Sequence, residues 1–392
     1  MSFDTPFDHV IDRRNTDCLK WDLMEKLYGV SSDDGLAMWV ADMDFRPPEV
    51  VQDALSEMLR HGIYGYFGDL TKYNAAVKWW SETRHGFEID PSWILTTNGL
   101  VNAIGLCVDS FTKPGEGVVV FSPVYHAFGR VIRAAERDMV ELELVNADGR
   151  YEMDFAAYDA QMKGHERLLI LCSPHNPGGR VWSREELEEL AAFARRHDLI
   201  IVADEVHRDL TFHVKHVPMA HIDGVADRLI NLSATTKTFN IAGAHAGNVI
   251  IADPDLRNAF SKRMAALGTS ANSFGLAMAT AAYSPEGAAW VDDLCAYVDE
   301  NRKVFDAAVN AIPGLSSMPL EATYLSWVDF SGTGMEREEF TARVEKQAKI
   351  AVNHGPTFGK GGESFLRLNI ATPRARVIEA ADRLAEAFSD LQ

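Results

Sequence analysis

Lys237 lies in Leu232-Ser233-Ala234-Thr235-Thr236-Lys237-Thr238-Phe239-Asn240, and Asp204 opens Asp204-Glu205-Val206-His207 at the end of the apolar run Leu199-Ile200-Ile201-Val202-Ala203. A lysine amine can condense with an aldehyde to form a Schiff base. An aspartate can hold a pyridine-type nitrogen protonated, which turns the ring into an electron sink. Either residue alone says little. An isolated lysine is ordinarily a solvated surface charge, and an aspartate at this place serves equally well as a helix N-cap. Arg367 adds to the pair because it stands inside the otherwise apolar Phe365-Leu366-Arg367-Leu368. A guanidinium there suits bidentate capture of a carboxylate better than a surface ion pair. Thr97-Asn98-Gly99-Leu100-Val101 precedes a helical pattern running to about Phe111. Glycine lets the backbone approach an anion closely, and free amides at Gly99 and Leu100 can bind a phosphate, with the Thr236 hydroxyl as a further donor.

The elements that must position these residues are short apolar runs. Val118–Phe121, Leu168–Cys172, Leu199–Ala203, Leu229–Leu232 and Asn248–Ile251 lack polar alternation, as strands covered on both faces do. Ser183-Arg184-Glu185-Glu186 is a capping box that opens a helix to about His197. Strand, helix, strand implies a parallel α/β sheet. Four of the strands lead directly into unusual polar tails: Ser122-Pro123-Val124-Tyr125, Ser173 to Gly179 with Asn176, Asp204, and Ser233 to Lys237. Ligands of open α/β sheets bind beyond the carboxyl ends of strands, so one ligand would explain all four. Asn176-Pro177 is also a turn signal, and Tyr125 could be an ordinary packed core tyrosine. From about residue 290 the pattern changes. Thr323–Phe330 alternates like a half-exposed strand, Glu338–Lys349 reads as helix, Ser364–Asn369 as strand, and Thr372-Pro373 opens a last helix. These patterns predict a large domain over residues 46–289 and a small α+β domain from residues 1–45 and 290–392.

With 392 residues, 47% hydrophobic and 24% charged, the chain has room for a large core. A net charge of −19 argues against nucleic acid or an anionic membrane as partner. The four cysteines, Cys18, Cys107, Cys172 and Cys295, form no CxxC pair, which points away from disulfides and structural zinc and toward a reducing cytoplasm. The N-terminus does not read as a signal peptide, and no run approaches a membrane span.

The chain resembles the fold-type I pyridoxal phosphate enzymes of the aspartate aminotransferase superfamily, and within them the cystathionine β-lyase (C–S lyase) subgroup of MalY/PatB type. The resemblance rests on Asp12-Arg13-Arg14-Asn15-Thr16 with Trp21-Asp22, Ala41-Asp42-Met43-Asp44-Phe45, His61-Gly62-Ile63-Tyr64-Gly65-Tyr66, Asp204-Glu205-Val206-His207, Lys237-Thr238-Phe239-Asn240 and Arg367-Leu368-Asn369, in order along nearly the whole chain. It implies a mostly parallel seven-stranded sheet between helices, pyridoxal 5'-phosphate as cofactor and Lys237 as its Schiff-base residue. It further implies that Asp204 meets the ring nitrogen, Asn176 donates to the phenolic oxygen, Tyr125 stacks on the ring and His207 lies beside the cofactor. Arg367 and Tyr64 would face the amino-acid substrate. Tyr66 would reach the phosphate of a neighbouring subunit, in a homodimer with shared sites. Three positions depart from common aminotransferases: His207 in place of a tyrosine, His245 in place of an arginine, and Ala234 in place of a serine. The C–S lyases share the first and generally lack that arginine.

The reading that follows is β-elimination from cystathionine or an S-substituted cysteine, giving thiol, pyruvate and ammonia. An aminotransferase uses the same lysine, aspartate and arginine, and is the nearest rival. A regulatory protein that binds another protein and keeps the cofactor as a structural ligand is a rival of another kind.

Overall fold

A computed structural model describes residues 5–391. Seven strands build the central sheet: β1 (Ile94–Thr97), β2 (Gly117–Ser122), β3 (Asp138–Glu143), β4 (Glu166–Cys172), β5 (Ile200–Asp204), β6 (Leu229–Ser233) and β7 (Gly247–Ile250). Their spatial order is β1-β7-β6-β5-β4-β2-β3, and every neighbouring pair is parallel except the two made by β7. The apolar runs predict five of these strands but carry no direction, so the reversal of β7 is a finding of the structure. The loop and short helices from Ala234 to Ala246 return the chain beside β6, and Lys237 sits in that return.

The missing polar alternation has a direct cause. Val119, Phe121, Leu169, Leu171 and Ile201 pack on one face with Leu187, Leu190 and Phe193 of the helix Arg184–Arg196. Val118, Val120, Leu168, Ile170 and Val202 pack on the other with Ala103, Ile104 and Cys107 of the helix Leu100–Phe111. Successive side chains of a strand point to opposite faces, so a strand covered twice must be apolar throughout. Each such side chain contributes roughly 1.5–3 kcal/mol. The capping box forms as read: Ser183 Oγ accepts from the Glu186 N–H at 3.2 Å, and Glu186 Oε2 accepts from the Ser183 N–H at 2.7 Å.

A second, antiparallel sheet joins Ser316–Ser317, Leu325–Asp329, Phe365–Asn369 and Asn353–His354 in that order. Its strand Leu325–Asp329 is buried along nearly its whole length, not half-exposed. The polar Ser326 that gave the alternation faces Ser317, Oγ to Oγ 3.0 Å, and so is satisfied inside. Leu36, Met38, Met43 and Phe45 share one core with Leu325, Val328, Val377, Leu384 and Phe388. Leu36–Ala37 also pairs in parallel with Ile350–Ala351.

Candidate active site

Three of the predicted residues stand at the carboxyl edge of the central sheet. Asp204 ends β5, Asn176 follows β4, and Lys237 lies in the turn of helix Thr235–Thr238 after β6. Arg367 enters from the second sheet, in Phe365–Asn369, and its Nη1 donates to Asn176 Oδ1 at 3.0 Å. The site therefore closes between the two sheets.

Lys237 Nζ donates to the Ala41 carbonyl at 2.6 Å, and the Tyr324 hydroxyl donates to the same oxygen at 3.0 Å. Burial pushes the amine down to about 8, with the Asp42 carboxylate opposing and the Arg367 guanidinium adding to the effect. Asp204 is 5% exposed and its carboxylate accepts one hydrogen bond, from the Val206 N–H at 3.2 Å. Burial raises its pKa to about 7, against the pull of that N–H and of Lys237. His207 is buried with Nδ1 unpartnered, and burial followed by the charges of Lys237 and Arg367 holds it neutral. Tyr125 is half-buried at the start of the helix His126–Ala134, where burial raises its hydroxyl and the charges of Arg367 and Asp204 reach it.

Arg367 is 2% exposed, and among the described residues it forms no ion pair with a carboxylate. It donates to Asn176, to the Trp39 carbonyl at 2.8 Å and to Asn353, while Nε is left without a partner. Burial without a counter-charge lowers it to about 10. A buried cation in this state calls for an anionic ligand.

The segment Trp39–Phe45 crosses the site as a strap whose carbonyls are claimed in turn. Asn369 Nδ2 donates to Val40 and Asp42, each at 2.6 Å, and Asn240 Nδ2 donates to Met43 at 2.9 Å and Phe45 at 2.7 Å. Gly99 has φ +87° and starts the helix Leu100–Phe111 with no side-chain cap, so the first amides of that helix are open to an anion. A Cβ at Gly99 would stand 3.6 Å from His245 Nδ1, so the histidine that replaces the usual arginine lies at the same turn. Thr236 is half-buried beside Lys237.

Tyr64 and Tyr66 are not brought to this site within one chain. Tyr64 is exposed against Phe274, ring centroids 5.4 Å apart, and Tyr66 is fully exposed. Sequence reasoning assigned no role to Tyr324, Ala41, Asn240, Asn353 or Asn369. The signal for Asn369 and Asn240 was an amide at the end of a motif already singled out. Ala41 acts through its carbonyl, which no side-chain pattern reveals.

These open groups fit pyridoxal 5'-phosphate. A buried, under-partnered carboxylate answers a ring N–H, Asn176 Nδ2 has no protein acceptor among the described residues, and the uncapped helix start with His245 answers a phosphate. The comparisons agree. The sequence matches the aminotransferase class I and II family over residues 39–384. It is 38% identical over 388 residues to the cystathionine beta-lyase PatB of Bacillus subtilis (strain 168), covering 98% of this chain and 100% of that one. Cystalysin from Treponema denticola, a crystal structure with a pyridoxal 5'-phosphate cofactor, superposes with a TM-score of 0.94 at 35% identity over 100% of both chains. The PLP-bound C-S lyase from Staphylococcus hominis in complex with L-cycloserine superposes with a TM-score of 0.90 at 28% identity, over 99% of each chain. A family match across most of the chain, a relative of the same length and two superposable structures leave one assignment: the chain belongs to the class I and II aminotransferase family of pyridoxal phosphate enzymes.

Proposed function

We propose that this chain is a pyridoxal phosphate-dependent carbon–sulfur β-lyase that takes cystathionine or S-substituted cysteines to thiol, pyruvate and ammonia. The observation that carries the amino-acid chemistry is the buried guanidinium of Arg367, free of any carboxylate among the described residues and within electrostatic reach of Lys237. Full-length similarity to a cystathionine β-lyase and to two structures named cystalysin and C-S lyase supports elimination over amino-group transfer.

When bound, the cofactor supplies an aldehyde for the substrate amine and a ring that draws electron density from Cα. Arg367 grips the substrate carboxylate and so turns the Cα–H bond toward Lys237. Lys237 Nζ removes that proton, and an amine lowered to about 8 has a useful basic fraction near neutrality. Asp204 would keep a proton on the ring nitrogen, because a cationic partner restores the carboxylate that burial disfavours. Asn176 would hold the phenolic oxygen through Nδ2, and the ring of Tyr125 would cover one side of the site against water. The Cβ–S bond breaks with its electron pair on sulfur, which leaves as the thiolate while the former Cα–H pair forms the Cα–Cβ double bond, and water hydrolyses the released enamine to pyruvate and ammonia.

The phosphate contacts of Gly99, Leu100 and Thr236, the place of His207 beside the cofactor and of Tyr64 near the substrate are part of the same proposal. So is a homodimer in which Tyr66 completes the neighbour's site; Ile63, Tyr64, Tyr66 and Phe67 are exposed together, as an interface would require. The division into residues 46–289 and residues 1–45 with 290–392 is supported by the core that Leu36–Phe45 shares with the C-terminal part. Four free cysteines support a cytoplasmic setting. Among the described residues no helix is long and apolar enough to cross a membrane. The test is thiol release from L-cystathionine by wild type and Lys237→Ala, both loaded with cofactor. Release by the wild type alone supports the proposal, and equal rates would overturn it.

A further inference from the structure

A second polar cavity lies away from the site just described. It has a volume of about 470 Å³ and is lined by Arg84, His85, Arg208, Asp209, Lys215 and His216 among others, and neither Lys237, Asp204, Asn176 nor Arg367 lines it. Arg208 is 2% exposed, yet neither Nη1 nor Nη2 has a hydrogen-bond partner, and it forms no ion pair among the described residues. A guanidinium is always charged and presents donors only. Its charge reaches the Asp209 and Glu205 carboxylates, but its buried Nη donors still call for an anion or water to accept from them.

Most of the carboxylate oxygens nearby are already committed. Asp209 accepts from Trp80 Nε1 at 2.8 Å and from Thr238 Oγ1 at 2.8 Å, and lies 2.7 Å from His85 Nε2. Asp292 is taken by Arg84 at 2.7 Å. Glu205 accepts from the Met219 N–H at 2.7 Å through Oε1, while Oε2 faces His216 Nε2 at 3.4 Å without a hydrogen bond. What remains without an acceptor is a set of donors: both Nη of Arg208 and Nζ of the exposed Lys215, while Nδ1 of His216, also unpartnered, donates only from a ring protonated at that nitrogen. The cavity far exceeds the ~30 Å³ share of one water.

We propose that this cavity is a binding site for a small inorganic oxyanion of the phosphate or sulfate class, held by Arg208 with Lys215. A tetrahedral dianion offers several acceptors to a fork of N–H donors and cancels the buried charge. Asp209 joins this wall to Thr238, the residue after Lys237, so the site lies one hydrogen bond from the segment that carries the reactive amine.

The test is calorimetric titration of the cofactor-saturated enzyme with inorganic phosphate, with chloride holding ionic strength constant. One saturable site per chain is expected. Arg208→Gln should weaken it at least about tenfold, the loss of one charged hydrogen-bonding partner. Lys215→Gln changes an exposed side chain, keeps the test open if the first variant folds poorly, and should weaken binding by up to about fivefold. No saturable heat would mean that water alone fills the cavity and would overturn the proposal. Unchanged binding in both variants, or binding seen only after the cofactor is stripped, would place the anion elsewhere and overturn it equally.

Discussion

Two clusters of buried charge touch the strap Trp39–Phe45, and they obey opposite rules. In the first, Asp44 is 1% exposed and fully answered. It accepts from Arg13 Nη1 at 2.9 Å, Trp21 Nε1 at 3.0 Å and Lys20 Nζ at 3.1 Å, with Arg376 at 3.6 Å. Burial alone would raise its pKa, but Lys20, Trp21 and the two arginines outweigh it and hold the carboxyl at about 2. In the second, Asp204, His207 and Arg367 are as deeply buried but under-partnered. A cluster complete within the chain fixes the strap. A cluster left incomplete waits for a cofactor ring and a substrate carboxylate. Charge burial marks both places, and the missing partner separates the active site from the scaffold.

The largest effects should fall on the incomplete cluster. Lys237→Ala should lower kcat by at least about 10³-fold in a steady-state assay, since it removes the proton-moving amine. Arg367→Ala should lower kcat/KM for cystathionine by about 10²–10³-fold, the consequence of leaving a substrate carboxylate without its fork. A drop below tenfold would mean that Arg367 does not hold the carboxylate.

The complete cluster should instead answer in stability. Asp44→Ala takes the nearest carboxylate from buried Lys20, while Arg13 keeps Asp42, and breaking a buried pair costs about 3–5 kcal/mol, which urea unfolding would read. Its pH signature has a defined sign. The Asp44 carboxyl is depressed from 3.8 to about 2, so its contribution is present above pH 3.8 and fades as pH falls through 2. Asp204 runs the other way in cofactor-free protein. Its pKa is raised from 3.8 to about 7, so its contribution is full below pH 3.8 and is lost as pH rises through 7, by up to about 4 kcal/mol. Asp204→Asn should flatten that slope, and an unchanged slope would mean the carboxylate is already answered within the protein.

Much of the incomplete cluster was legible in the sequence because its residues break a local pattern. Asp204, Asn176 and Lys237 are polar tails on apolar strands, and Arg367 interrupts an apolar strand. The complete cluster was visible only as motifs without a role. Arg13, Trp21 and Asp44 meet through a fold of the N-terminal segment that no periodicity encodes. Tyr324 was hidden for a related reason. Its strand reads as half-exposed because Ser326 is polar, and only pairing with Ser317 shows that the strand is buried. The seven-stranded sheet followed from the resemblance, whereas the antiparallel run of β7 depends on pairing that hydrophobicity does not report. Tyr64 and Tyr66 stand apart from the site, and their proposed roles need a second chain.

The central claim is that the incomplete cluster performs elimination. Its most direct test is the product balance from L-cystathionine with purified, cofactor-loaded protein, measured with and without an added keto acid. The account predicts equal amounts of thiol and pyruvate, at a rate that the keto acid does not change. Turnover that requires the keto acid, with amino acid formed in its place and no thiol released, would contradict it.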